Sequence, residues 1–187
     1  MRKLIYAINT SMDGCCDHTI GLVPDDELFE YYTRLVRDVD VFLYGRITYQ
    51  LMVPYWPDIA RSPAGQTKED VDFARAFGSV SRIVVVSTSL ARAEEEKTTI
   101  VRANLEDEVL KLKQERGRDI LVGGISLPSQ LMKLGLIDEY RIVVMPIVVG
   151  EGRRLFDGAS PPERLQLKLA ESRTFKSGCV LLRYLKQ

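Results

Sequence analysis

The chain has 187 residues, 45% of them hydrophobic and 28% charged, with 26 Lys plus Arg balancing 26 Asp plus Glu so that the formal net charge is zero. That length and composition correspond to about one average globular domain, taken as 1–187, long enough to bury a core without disulfide staples. The charge balance argues against a nucleic-acid binder working by phosphate neutralisation, and against an acidic disordered tail or a basic membrane-surface protein.

At the N-terminus Arg2 and Lys3 precede only five apolar residues, Leu4–Ile8, fewer than the roughly 7–15 of a secretory core. No apolar run approaches the about 18 residues of a membrane span. A cytoplasmic protein without membrane partners is expected. Cys15, Cys16 and Cys179 build no disulfide framework, and the single histidine, His18, excludes a histidine-rich metal site.

Short runs rich in β-branched residues predict strands at Lys3–Asn9, Val41–Tyr44, Arg82–Ser87, Thr99–Val101, Asp119–Val122, Glu139–Val144, Leu165–Thr174 and Cys179–Leu185. Helical spacing predicts helices at Asp25–Arg37, with acids in its first turn, at Leu105–Lys113, and at Leu127–Leu134, which Gly135 terminates. A short helix is expected after Gly45. The segment Pro54–Thr67, with Pro54, Pro57, Pro63 and Gly65, reads as a mobile surface loop. Strands alternate with helices up to residue 144, and Phe175–Gly178 joins the last two strands as a hairpin. The expected fold is therefore α/β: a mixed, mostly parallel sheet with helices on both faces and an antiparallel C-terminal hairpin. In such sheets ligands bind beyond the carboxyl ends of the strands.

Three strand ends carry candidate chemistry. Val41-Phe42-Leu43-Tyr44 runs into Gly45-Arg46-Ile47-Thr48, which offers close backbone approach, helix-start N–H groups, a guanidinium and a hydroxyl to a phosphate. Ile83-Val84-Val85-Val86 ends in Ser87-Thr88-Ser89. Ile120-Leu121-Val122 ends in Gly123-Gly124-Ile125-Ser126-Leu127, where two glycines leave room for a ligand. Each alone also reads as an ordinary turn or cap. Together they suit a phosphorylated cofactor, although the G-x-G-x-x-G and G-x-x-x-x-G-K-[ST] fingerprints are absent. In Gly14-Cys15-Cys16-Asp17-His18 the candidate ligands are adjacent, not separated as in zinc sites, so no metal is expected. Asp13 is the candidate acid there, and equally the Asp of an Asp-Gly turn.

The order Ser11-Met12-Asp13-Gly14, Gly45-Arg46-Ile47-Thr48-Tyr49, Val86-Ser87-Thr88-Ser89, Gly123-Gly124, Pro146–Gly152 with Leu155-Phe156, and Gly178–Tyr184 resembles the dihydrofolate reductase-like fold. It is closest to the reductase domain of bacterial riboflavin synthesis, the RibD C-terminal family. The resemblance implies an NADPH-dependent reductase acting on a small heterocyclic or ribosylaminopyrimidine-like substrate, as a 5-amino-6-(5-phosphoribosylamino)uracil reductase does. It places the cofactor phosphates at Gly45, Arg46, Ile47 and Thr48. The adenosine ribose and 2′-phosphate fall at Ser87, Thr88, Ser89 and Arg102. The pyrophosphate and nicotinamide side falls at Gly123, Gly124, Ile125, Ser126 and Leu127, with Ala7 against the nicotinamide. Asp13, read from the residues alone, is the candidate for a catalytic role toward substrate or proton.

Two departures argue against a folate substrate. Phe29 stands at the position counted back from Gly45 for the pterin-holding acid, and Gly21-Leu22-Val23-Pro24 replaces the usual tryptophan segment. No deaminase signature H-x-E with P-C-x-x-C is present, so the substrate is expected to come from another protein or to differ. The alternative reading is a non-catalytic nucleotide-binding or sensing module on the same fold. A homodimer is expected, with the apolar run Ile142–Val149 contributing to its contact.

Overall fold

A computed structural model describes residues 1–17, 19, 22, 24–157 and 164–187. His18 lies outside the described residues. Among those described, the strands are β1 (Leu4–Ser11), β2 (Val39–Gly45), β3 (Arg82–Val86), β4 (Thr98–Val101), β5 (Asp119–Val122), β6 (Glu139–Met145), β7 (Leu167–Thr174) and β8 (Val180–Lys186). The helices are α1 (Asp26–Arg37), α2 (Arg46–Arg61), α3 (Lys68–Gly78), α4 (Leu105–Gln114) and α5 (Ser126–Lys133). The strands form one eight-stranded mixed sheet in the order β4-β3-β2-β5-β1-β6-β8-β7, mostly parallel with an antiparallel C-terminal part. The chain divides into two compact units, Met1–Arg2 with Pro24–Leu121, and Lys3–Val23 with Val122–Gln187.

In the first unit, β2, β3 and β4 are parallel neighbours. Phe42, Leu43, Ile83, Val84 and Val85 are all buried, the near-continuous apolar reading of interior parallel strands. Helix α1 starts where its sequence indicates: Asp25 is the N-cap and its carboxylate accepts the Leu28 N–H at 2.8 Å. The buried Arg2 guanidinium pairs with Asp40, lies 3.8 Å from Glu115, and donates to the Arg118 carbonyl.

Pro54–Arg61 is helix, which corrects the loop expectation over that part; residues 62–67 are non-helical and exposed. Helix α2 continues through Pro54 and Pro57 to Arg61, and α3 starts at Lys68. Each proline removes one helix N–H bond, but Tyr49, Val53, Trp56 and Ile59 recur every three or four residues and are all buried. The Trp56 ring lies 4.5 Å from Phe73 and 6.1 Å from Phe29, centroid to centroid. Burial of that stripe outweighs the lost bonds. Helix α3 was not anticipated. It opens on a reciprocal cap in which Thr67 and Asp70 bond each other's backbone N–H.

In the second unit, β1 runs parallel to β6, from Ile5 opposite Glu139 to Ser11 opposite Met145. The expected hairpin between β7 and β8 turns through Phe175–Gly178, with Gly178 at φ 85°. Helix α5 stops as Gly135 predicts. The Gly135 N–H donates to the Met132 carbonyl at 3.0 Å and the Leu136 N–H to Leu131 at 2.9 Å, the two bonds of a glycine-terminated helix. Glu139 is 1% exposed. Its carboxylate accepts from Arg141 at 2.7 Å and from Arg183 at 2.7 and 3.2 Å, with Lys3 at 3.6 Å. Burial pushes its pKa up, but the Arg183 and Arg141 hydrogen bonds and charges outweigh that and hold it below the usual carboxylate value.

Candidate functional site

Gly45 is the register partner of Val86, and Val86 of Val101. The residues that follow these three partners are Arg46, Ser87 and Arg102, so the first unit carries three of the sequence-predicted positions on neighbouring strand ends. Gly45 has φ −77° and ψ 164°, an extended conformation open to any residue. Its use there is the missing side chain. Helix α2 begins immediately afterwards without a side-chain N-cap, which leaves its first N–H groups free of a side-chain acceptor. The Arg46 guanidinium is exposed and donates to Gln50 Oε1 at 2.9 Å. Ile47 is exposed and Thr48 half-buried. Tyr49, which sequence reasoning did not single out as a site residue, fixes the neighbouring loop: its buried hydroxyl accepts the Glu94 N–H at 3.0 Å.

The Ser87 hydroxyl is committed to its own turn, accepting the N–H groups of Ser89 at 3.2 Å and Leu90 at 2.9 Å. Thr88 and Ser89 are exposed. Arg102 braces the same loop, donating to the carbonyls of Ser87, Thr88, Leu90 and Ala91 at 2.7–3.5 Å. It is exposed, and carbonyl partners leave its positive charge uncompensated.

In the second unit β5 ends at Val122 and passes through Gly123 and Gly124 into α5. Only Gly124, at φ 87°, needs glycine for its backbone. A Cβ at Gly123 would meet nothing closer than the Ala7 carbonyl at 3.8 Å, so the space above it is open. Ala7 is half-buried, as is Ile125; Leu127 is buried and anchors α5. Ser126 is exposed, and its hydroxyl accepts from Arg153 at 3.0 Å. Sequence reasoning missed Arg153; the Arg153-Arg154 pair following Gly152 was the available signal.

Asp13 lies in a turn sewn to the segment after β6. Its carboxylate accepts from the Ser11 hydroxyl at 2.6 Å and from the N–H groups of Val149 at 3.1 Å and Gly150 at 2.9 Å, with Arg154 at 3.6 Å. The Ser11, Val149 and Gly150 bonds hold its pKa far below the usual carboxylate range. A carboxylate so engaged carries no proton near neutrality and holds a loop. Cys15 and Cys16 are buried in the same seam, where Cys16 N–H donates to the Arg153 carbonyl at 2.8 Å. Burial, followed by the neighbouring Cys15, pushes the Cys16 thiol up to about 11. Among the described residues no group of His, Cys, Asp or Glu could hold a metal ion.

In the first unit, an exposed guanidinium beside a helix start without a side-chain cap fits a phosphate group. In the second unit, taken by itself, an open glycine turn leads into a helix. No described helix is long and apolar enough to cross a membrane.

Comparison with known proteins agrees with this architecture. The uncharacterized protein YyaP of Bacillus subtilis (strain 168) is 30% identical over 190 residues, covering 98% of this chain and 94% of YyaP. A pyrimidine reductase-like protein from Corynebacterium diphtheriae superposes with a TM-score of 0.68 at 15% identity, over 100% of this chain and 92% of that one. The deaminase/5-amino-6-(5-phosphoribosylamino)uracil reductase of Thermotoga maritima superposes with a TM-score of 0.70 at 15% identity, and this chain spans 57% of it. The family model of the RibD C-terminal domain matches residues 2–181. The chain belongs to the RibD C-terminal domain family.

Proposed function

We propose that the protein is an NADPH-dependent reductase that transfers hydride to a small heterocyclic or ribosylaminopyrimidine-like substrate, with 1–187 acting as one functional domain. The observation that carries this reading is the alignment of Gly45, Val86 and Val101 in one register. It gathers Arg46, the start of α2 and the Arg102-braced loop on adjacent strand ends. Membership of a family with reductase relatives supports it. When bound, NADPH supplies the hydride. Arg46 and the α2 N–H groups bind phosphate oxygens, with Ile47 and Thr48 beside them. Thr88, Ser89 and Arg102 hold the adenosine 2′-phosphate, and Ser87 shapes their loop. Gly123, Gly124, Ile125 and Ser126 receive the pyrophosphate and nicotinamide side, with Ala7 as the strand position beside it. The protein's contribution is to orient the reactants and exclude water.

Asp13 enters this reading as a positioning residue, because its hydrogen bonds leave it ionised. That favours one second reading, a nucleotide-binding or sensing module without turnover, because the candidate acid Asp13 is held ionised by its hydrogen bonds. Fluorescence titration with NADPH and NADH, followed by turnover assays over pterins and pyrimidines, separates the two. Tight NADPH binding with turnover supports the reductase, and binding without turnover supports the module. Binding of neither nucleotide overturns both. We further propose a cytoplasmic homodimer. In the run Ile142–Val149, Ile142, Val143 and Met145 are buried within β6, whereas Ile147 and Val148 are exposed and available. A monomer by light scattering removes the dimer.

A further inference from the structure

We infer that the Tyr44 hydroxyl is a ligand contact in the first unit, bonding an uncharged polar atom, a ring carbonyl or ring nitrogen, of a heterocycle held at the carboxyl end of β2. That the heterocycle is a reductase substrate rests on the function proposed above; the contact does not.

Tyr44 is the last side chain of β2 before Gly45, at the strand end where a parallel sheet receives ligands. It is 4% exposed. Its ring stacks on Phe42, two positions back on the same strand face, at 5.3 Å between centroids and 25° between planes. Ring contacts continue from Phe42 through Phe77 and Phe73 to Trp56, at 4.9, 6.5 and 4.5 Å. This group is hydrocarbon apart from the Tyr44 hydroxyl and Trp56 Nε1. Other buried tyrosine hydroxyls are used within the chain: Tyr6 donates to the Gly124 carbonyl at 2.9 Å, and Tyr49 accepts the Glu94 N–H at 3.0 Å. The Tyr44 hydroxyl has no hydrogen-bond partner among the described residues. Nor is it sealed. The fully enclosed side-chain polar atoms without a partner, among the described residues, are Trp56 Nε1, Arg82 Nε and Thr98 Oγ1. The Tyr44 oxygen therefore reaches the protein surface on a side chain that is otherwise buried.

A phenylalanine would fill the same space with no polar group to satisfy, and a hydroxyl left unbonded in an apolar setting is costly. The oxygen takes its partner from outside the chain. Burial alone pushes the phenol pKa above its usual value, with no charged group contributing. The hydroxyl therefore stays protonated at neutral pH, and no neighbouring charge compensates an ionic partner. A phenol donates to a carbonyl or ring nitrogen and accepts from a ring N–H. The uncharged edge of a heterocycle fits this chemistry, and a phosphate or carboxylate does not.

The test compares wild type, Tyr44→Phe and the control Tyr49→Phe. In ligand-free protein, Tyr44→Phe should unfold at or above the wild-type temperature, because no bond within the chain is lost, whereas Tyr49→Phe should unfold earlier. A Tm lowered as much by Tyr44→Phe as by Tyr49→Phe would give the hydroxyl a partner inside the chain and overturn the proposal. Uracil and pterin are then titrated, followed by emission of Trp56, the single tryptophan, and by the Tyr44 Cζ resonance of ring-labelled protein, assigned by its absence from Tyr44→Phe. One of the two should shift that resonance, and Tyr44→Phe should bind it about fivefold more weakly, as for loss of one hydrogen bond. Equal affinity in the two proteins, or a Tyr44 resonance that neither compound moves, overturns the contact, while NADPH titration decides the reductase reading separately. A compound that binds through Tyr44 but is not reduced by NADPH supports the contact and counts against the reductase.

Discussion

The Gly150 N–H donates to Asp13 Oδ2 at 2.9 Å across 137 residues of chain, and Val149 donates to the other oxygen at 3.1 Å. One carboxylate thus closes the turn after β1 onto the segment after β6. Asp13→Asn is expected to loosen residues 147–155, read as faster amide exchange there. The pH dependence has a defined sign. The folded pKa lies below the unfolded value of about 3.9, so Asp13's contribution is present above that pH and is lost as the pH falls below it. Asp13→Asn should flatten the acid limb of a stability–pH curve measured by denaturation. An unchanged acid limb would contradict this role.

Arg46→Ala removes an exposed guanidinium that donates to Gln50. NADPH affinity should fall about tenfold, as for loss of a charge-assisted bond, with thermal stability near wild type. Wild-type affinity in this variant would remove the assignment of the α2 start to cofactor phosphates.

Arg102 should behave differently, because it also braces four carbonyls. Arg102→Lys keeps the charge but not the planar fork. It is expected to speed proteolysis or exchange in residues 87–91 and to weaken NADPH more than NADH. Equal weakening of both nucleotides would argue against a 2′-phosphate role.

The paired glycines separate a fold requirement from a ligand requirement. Gly124→Ala places a side chain at φ 87° and should cost about 1–2 kcal/mol. Gly123→Ala introduces a methyl whose nearest neighbour is the Ala7 carbonyl at 3.8 Å, and stability should stay within about 0.5 kcal/mol. A loss of NADPH binding in a stable Gly123→Ala protein would locate the ligand there. Retained binding would show that nothing approaches it.

Glu139→Gln strips the charge from a buried carboxylate facing two arginines. Arg141 and Arg183 side chains remain 17% and 29% exposed, so water relieves part of the cost. We expect about 2–3 kcal/mol, below the range for a fully buried pair, or a Tm lower by about 4–12 °C. Because the folded pKa is depressed, the wild-type advantage should begin to fall below about pH 4.3, the unfolded value, and be lost only once the pH drops through the lower folded value. A difference that persists at lower pH would point to packing instead of charge.

Much of the fold was legible locally. Eight β-branched runs became eight strands, and Asp25 and Gly135 marked a helix start and a helix stop, because strand patterning and capping are set by neighbours in sequence. The same held for the candidate strand ends, whose glycines and hydroxyls follow the strands directly. The extent of α2 was obscured because two prolines outweighed a buried stripe that only packing against Phe29 and Phe73 reveals, and α3 was not anticipated. What tertiary structure alone decided is which polar groups remain available. Asp13 is spent on Val149 and Gly150, Ser87 on its own turn and Tyr6 on Gly124, while Arg102 braces a loop and keeps its exposed positive charge. Residue identity supplies donors and acceptors, but their partners lie up to 137 residues away, and only the folded chain brings them within hydrogen-bonding distance.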